Sequence, residues 1–189
     1  MSARKIAYIY YFDGIDEPKV NHVMTICTDI IAQESPDELY FLISSKGGDV
    51  KAGITLYNFL KSIPPKITMH NIGAIDSIAT VIFAAGDKRY AAPNTTFHFH
   101  GVQVNVTAPA QFGISQINEI RSSIIQNHNQ IAEIVCADTG LEKEEIKELF
   151  RQGESKSTDF ALEKRIISRV FVPSVPLAGP VITINHRNP

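Results

Sequence analysis

A serine, two histidines and a pair of adjacent glycines are the residues in this chain whose types and spacing could do chemistry. Ser77 stands in GAIDSIATVIFAAG (73–86), between a strand-like run and an apolar run with helical spacing. A hydroxyl there has two uses. It can cap the free N–H groups of a helix start, or it can act as a nucleophile whose developing charge the helix start and nearby amides stabilise. Asp76, next to it, suits the cap and opposes an oxyanion. His98 and His100 lie two apart in TTFHFHGV, which in a strand brings both imidazoles to one face. Such a pair fits a general base, a metal site needing a third ligand, or two histidines bonded to backbone. Spacing supplies no third ligand. Gly47 and Gly48, in SSKGGDVKAG, sit where a strand hands over to a helix. Adjacent glycines permit a sharp turn and leave N–H groups open to an incoming oxygen, as an oxyanion site or as a plain tight turn.

The elements that must position these residues follow from periodicity. KIAYIYYF (5–12) is rich in aromatic and β-branched residues and predicts a strand. Residues 19–33 predict a helix, with Val20, Val23, Met24, Cys27, Ile30 and Ile31 at helical spacing. A turn and buried strand over 35–44, a helix over 50–62 ended by Pro64 and Pro65, a strand over 66–73 and a helix over 77–85 complete the first half. Alternating strand and helix in this order builds right-handed βαβ crossovers around a mainly parallel sheet, an α/β fold. KRYAAP and TTFHFHGVQVNV predict two further strands. A long helix over 113–137 carries Ile114, Ile117, Ile120, Ile124, His128, Ile131 and Val135 on one face and polar residues on the other, which suits a projecting helix that meets a partner. A short acidic helix over 141–150 and an apolar segment over 159–170 close a single domain at residue 171. The tail, 172–189, carries four prolines and predicts extended or disordered chain.

Composition excludes several classes. At 189 residues the chain can bury one real core, and a net charge of −2 with scattered basic residues points away from nucleic acid. No stretch reaches the roughly 18 apolar residues of a membrane span. The start, MSARKIAYIYYFDG, has too short an apolar run for a signal peptide. Cys27 and Cys136 lie far apart without metal-ligand spacing, as in a reduced cytoplasmic protein. Neither GxGxxG nor a phosphate loop with Lys and Ser/Thr is present, so no nucleotide cofactor is indicated.

Taken together, SSKGGDVKAG, GAIDSIATVIFAAG, KRYAAPNTTFHFHGV and DTGLEKEEI resemble, in order, the proteolytic subunit of the caseinolytic (Clp) protease family, from about residue 6 to 170. The resemblance implies a crotonase-like stack of βαβ units and a serine endopeptidase working on peptides or unfolded polypeptides inside a ring. It implies heptamers or stacked rings paired through the long "handle" helix. Ser77 matches the nucleophile and His100 the general base. The oxyanion hole matches the backbone N–H groups of Gly48 and Ile78. The resemblance assigns no role to His98 and implies no metal or cofactor.

The chain departs from the family pattern at several points. Counted without gaps from Thr139-Gly140, the triad acid falls on Leu149, with Glu148 the nearest substitute and Glu145 and Glu154 the others. Lys46 stands where the family has proline, and Asp76 and Ile78 flank the serine in place of a small residue and methionine. About six extra residues lie around 104–109. The segment that in the family forms axial loops and engages an ATPase ring is expected to be missing. Two other readings stay open at this point: an inactive ring subunit of the same fold, and a crotonase-fold enzyme acting on acyl thioesters.

Overall fold

The computed structural model describes residues 4–104, 111–175 and 181–184. Its centre is three parallel strands, β1 (Ile6–Phe12), β2 (Glu38–Ser45) and β3 (Lys66–Asp76), joined through α1 (Glu17–Glu34) and α2 (Val50–Ser62). β2 is buried along nearly its whole length because elements cover both sheet faces, as parallel sheets require. Each helix begins on a side chain that satisfies an otherwise free amide. Asp16 accepts from the Lys19 N–H at 3.0 Å, and Asp49 from the Ala52 N–H at 2.7 Å. α1 ends on Ser35 in the left-handed region, and α2 stops ahead of the two prolines.

The remaining strands are β4 (Lys88–Ala91), β5 (Thr96–His98), β6 (Ser155–Lys156), β7 (Arg169–Val170) and β8 (Val181–Ile184). The main order across the sheet is β6-β5-β3-β2-β1-β8, with β4 pairing both β3 and β7. Every pairing is parallel except β5–β6. β8 pairs with β1 through Tyr8–Tyr11, so part of the tail expected to be extended or disordered is a sheet strand. β5 stops at His98, shorter than the predicted strand over 95–106; residues 105–109 of the predicted insertion lie outside the described residues.

β3 does two jobs. Its first half, Thr68–Asn71, pairs with β4, and its last three residues, Ala74–Asp76, pair with β5. The change of partner coincides with a bulge against β2, where Ile43 faces Asn71 but Ser45 faces Ile75. Ser44 Oγ accepts the Ala74 N–H at 3.0 Å, and Asn71 Oδ1 accepts the Gly73 N–H at 3.0 Å. A side chain at Gly73 would meet Ser44 Oγ at 2.6 Å, so glycine is needed for this close approach. The strand predicted to end at Gly73 therefore bulges there and continues to Asp76.

The core lies between the sheet and its helices. Phe83 of α3 (Ala79–Ala84) meets Phe97 of β5 edge-on, with centroids 5.4 Å apart and planes at 69°. α4 (Ile114–Asp138) buries only Ile131, Ala132 and Val135, all in its last third. Ile114, Ile117 and Ile125 in its first half are exposed. α5 (Lys143–Gln152) packs beside its C-terminal end, and α6 (Thr158–Glu163) packs against β5. Arg89 ties these parts together, donating to the carbonyls of Gly86 at 2.9 Å and Ile166 at 2.8 Å and to that of Asp138.

Candidate active site

Ser77 is the first residue beyond β3, in the left-handed region at φ 56°. A non-glycine residue held there costs about 1–3 kcal/mol and persists only where its surroundings impose it. Two contacts do so. The Ser77 N–H donates to the His98 carbonyl at 2.8 Å, and the Ser77 carbonyl accepts both the N–H of Thr80 at 3.0 Å and its hydroxyl at 2.7 Å. The helix cap, one of the two uses open to Ser77, is not formed. α3 starts two residues later, its N-cap is Ile78, and the Ser77 carbonyl receives the Thr80 N–H. Ser77 thus occupies a tight strand-to-helix elbow.

The glycine pair closes one side of this elbow. A side chain on Gly47 would meet the Asp76 carbonyl and Ser77 Cβ, each at 2.7 Å. On Gly48 it would lie 2.0 Å from the Ile15 carbonyl. Gly47 and Gly48 take φ values of 82° and 154°, conformations that glycine adopts without strain. Ile15 pins the turn from outside: its N–H donates to the Gly47 carbonyl at 2.9 Å, and its carbonyl accepts the Asp49 N–H at 2.8 Å. Among the described residues no backbone carbonyl accepts the N–H of Gly48 or of Ile78. Gly53 on α2 completes the packing, since a side chain there would meet Ile78 Cγ1 at 2.3 Å.

The histidines stand across the β3–β5 pairing. Asp76 is directly opposite His98, so their side chains share a face, and the His98 and His100 rings lie 5.2 Å apart at 42°. His98 donates from Nε2 to the Gly153 carbonyl at 3.0 Å. His100 donates from Nδ1 to the Gly101 carbonyl at 2.8 Å, which leaves its Nε2 as the lone-pair nitrogen. Burial raises the Asp76 carboxyl above its usual value, and the two histidines oppose that rise. Asp76 is thus a partly buried carboxylate facing two imidazoles. Among the described residues no three His, Cys, Asp or Glu side chains gather in a way that could hold a metal ion.

The carboxylates expected to orient His100 are engaged elsewhere. Leu149 is a core residue of α5, 6% exposed. Glu148 is paired with Arg151 at 2.6 Å and accepts from Gln152 at 2.9 Å. Glu145 holds Lys164 at 2.5 Å, and Glu154 holds Lys156 at 2.9 Å. The β5–β6 register sets His98 opposite Ser155; continued by two residues, it brings Gly153 level with His100. Gly153 ends α5 at φ 60° and offers no side chain.

The profile of the Clp protease family matches residues 2–173, nearly the whole chain. The chain belongs to the Clp protease family. It is similar to the ATP-dependent Clp protease proteolytic subunit 2 of Pseudomonas aeruginosa, with 27% identity over 180 residues that cover 94% of this chain and 87% of that protein. The parallel sheet crossed by βαβ units is the crotonase-like fold of this family. No described helix is long and apolar enough to cross a membrane. Within this Clp protease domain, sequence reasoning missed two features near the histidines: the Gly101 carbonyl and the imidazole of His128 on α4. Only the Gly-Val pair after His100 and the histidine on the apolar face of α4 hinted at them.

Proposed function

We propose that this Clp protease domain is a serine endopeptidase with Ser77 as nucleophile and His100 as general base. The observation that carries this reading is the elbow: a serine held at φ 56°, packed on Gly47 and tied by its N–H to the histidine strand. In this reading His100 Nε2 takes the Ser77 hydroxyl proton as Oγ attacks a peptide carbonyl carbon. The N–H groups of Gly48 and Ile78 receive the oxyanion. The tetrahedral species collapses, the C–N bond breaks, and the imidazolium gives its proton to the leaving amine. Water then releases the acyl group from Ser77, with His100 again acting as base.

The orienting task of a triad acid falls here on the Gly101 carbonyl, which holds the Nδ1 proton and so selects the reactive tautomer. A neutral carbonyl lacks the charge that stabilises an imidazolium. Asp76, on the same face as His98 and felt by both rings, supplies negative charge in that place. The exposed Phe112, Ile114, Ile117 and Ile125 suit burial against further copies in a cytoplasmic ring, the chamber in which polypeptide substrates would be cut. An ATPase partner would feed such a ring. A second reading, an inactive ring subunit, is favoured by one observation, the glycine at the position level with His100. Hydrolysis of a fluorogenic peptide by the wild-type protein, with turnover down about 10⁶-fold in Ser77→Ala, is the expected result. Equal turnover in the two proteins would reject the serine mechanism, and no turnover in either would favour the inactive subunit.

A further inference from the structure

His128 sits on the half-buried part of α4, 26 residues beyond the segment it touches. Its Nε2 accepts the Val102 N–H at 2.7 Å. An accepting Nε2 carries no proton, so the imidazole is neutral with its hydrogen on Nδ1. Burial lowers the His128 pKa, in keeping with that neutral state. The Phe150 ring of α5 backs the imidazole, with centroids 5.1 Å apart. On the other side is Gly101: a side chain there would come within 3.3 Å of His128 Nε2 and crowd the ring.

The same two residues hold His100. Its Nδ1 donates to the Gly101 carbonyl at 2.8 Å, and that carbonyl belongs to the peptide unit whose N–H, on Val102, goes to His128. A single peptide plane therefore links two imidazoles. One end takes the proton that defines the His100 tautomer, and the other end is anchored on α4. Because a peptide unit is rigid and planar, fixing its N–H direction fixes its C=O direction as well.

We infer that His128 is a positioning residue for the active site: by accepting the Val102 N–H it orients the Gly101 carbonyl and thereby holds His100 with its proton on Nδ1. The function of that tautomer rests on the serine-peptidase reading, but the tautomer itself does not. The link also joins the His100 side of the site to α4, the helix whose first half is exposed. A rotation of α4 that withdrew His128 would release the peptide plane and let His100 exchange tautomers. Glutamine is the informative replacement, since its side-chain oxygen can reach the place of Nε2 and accept. Phenylalanine keeps the ring shape and accepts nothing.

The experiment is solid-state ¹⁵N spectroscopy of the full chain labelled at histidine and valine, whose resolution does not depend on particle size. In the wild type a coupling across the N–H···N bond between Val102 N and His128 Nε2 is expected, with His100 protonated at Nδ1. In His128→Phe the His100 signals should become those of a tautomer mixture, and in His128→Gln they should return to the wild-type pattern. Where the protein turns over peptides, kcat should fall by up to about 10²-fold in His128→Phe with KM little changed, as expected when a base is displaced but the binding groove is not. A wild-type His100 protonated at Nε2, or no coupling between Val102 and His128, overturns the inference even if the phenylalanine variant fails to fold. An unchanged His100 tautomer in folded His128→Phe overturns it as well. A wild type with the expected spectra but no serine reactivity would remove the serine-peptidase reading and leave the positioning role standing.

Discussion

The two halves of the candidate site are held in different ways. On the Ser77 side the restraints are close contacts of glycine backbone with its neighbours, together with hydrogen bonds to and from the backbone. Ser77 is wedged by Gly47, which is pinned by Ile15, and Ile78 is buried against Gly53. On the histidine side the restraints are single hydrogen bonds from ring nitrogens to carbonyls, at the edge of a two-residue strand and under a helix that is mostly exposed. Ser77 is over-determined and His100 is adjustable. A substitution on the second side need not disturb the fold, whereas a change on the first side strikes the core.

That contrast can be broken most severely at the glycines. Gly47→Ala would put a methyl 2.7 Å from the Asp76 carbonyl and Ser77 Cβ at a backbone φ of 82°. The expected cost is about 1–3 kcal/mol in stability. Displacing the serine should also slow reaction with a serine-directed probe by about 10²-fold, read from labelling rate and from thermal unfolding of the same sample. An alanine variant with wild-type stability and labelling would show that the elbow is not packed as described.

A subtler test separates strain from chemistry at one residue. Ser77→Gly removes both the hydroxyl and the penalty of a left-handed serine, so the variant should be unreactive yet more stable, by about 1 kcal/mol. For a chain of this size that is a rise in Tm of about 2–4 °C. A lower Tm in the glycine variant would mean that Ser77 contributes packing that outweighs the strain.

Much of the first half was legible from the chain alone, and the physical reason is local. Val20, Val23, Cys27 and Ile30 repeat at helical spacing because one face of α1 is buried, and all four are in the core. The glycine turn was legible as a strand-to-helix hand-over, whereas Ser77 and His100 stood out only through the family resemblance. What was not legible depends on pairing between distant segments. Gly73 reads as the end of a strand, and the bulge that carries the strand past it depends on Ser44 and Asn71. Gly153 comes level with His100 only through the β5–β6 register. The contact from His128 to Val102 crosses from helix to loop and has no periodic signature.

The smallest expected effect is one of pH. Burial lowers the pKa values of His128 and of His70, whose imidazole lies between the Tyr40 hydroxyl at 2.7 Å and the Phe171 carbonyl at 3.1 Å. Both therefore bind protons less readily folded than unfolded. Below the ordinary histidine value of about 6.5 the unfolded chain takes up more protons, and stability falls until the folded values are reached. Unfolding at constant temperature between pH 7.5 and pH 5 should show this loss. His128→Gln should reduce the slope, and a slope unchanged in that variant would remove His128 from the titration.

The central claim, an activated serine in the elbow, is tested most directly by treating the purified protein with a fluorophosphonate probe beside Ser77→Ala and His100→Ala. The account predicts covalent labelling of the wild type at Ser77, and loss of labelling in both variants with their folds intact. Wild-type protein that stays unlabelled in its assembled form, or that labels equally well without His100, would contradict it.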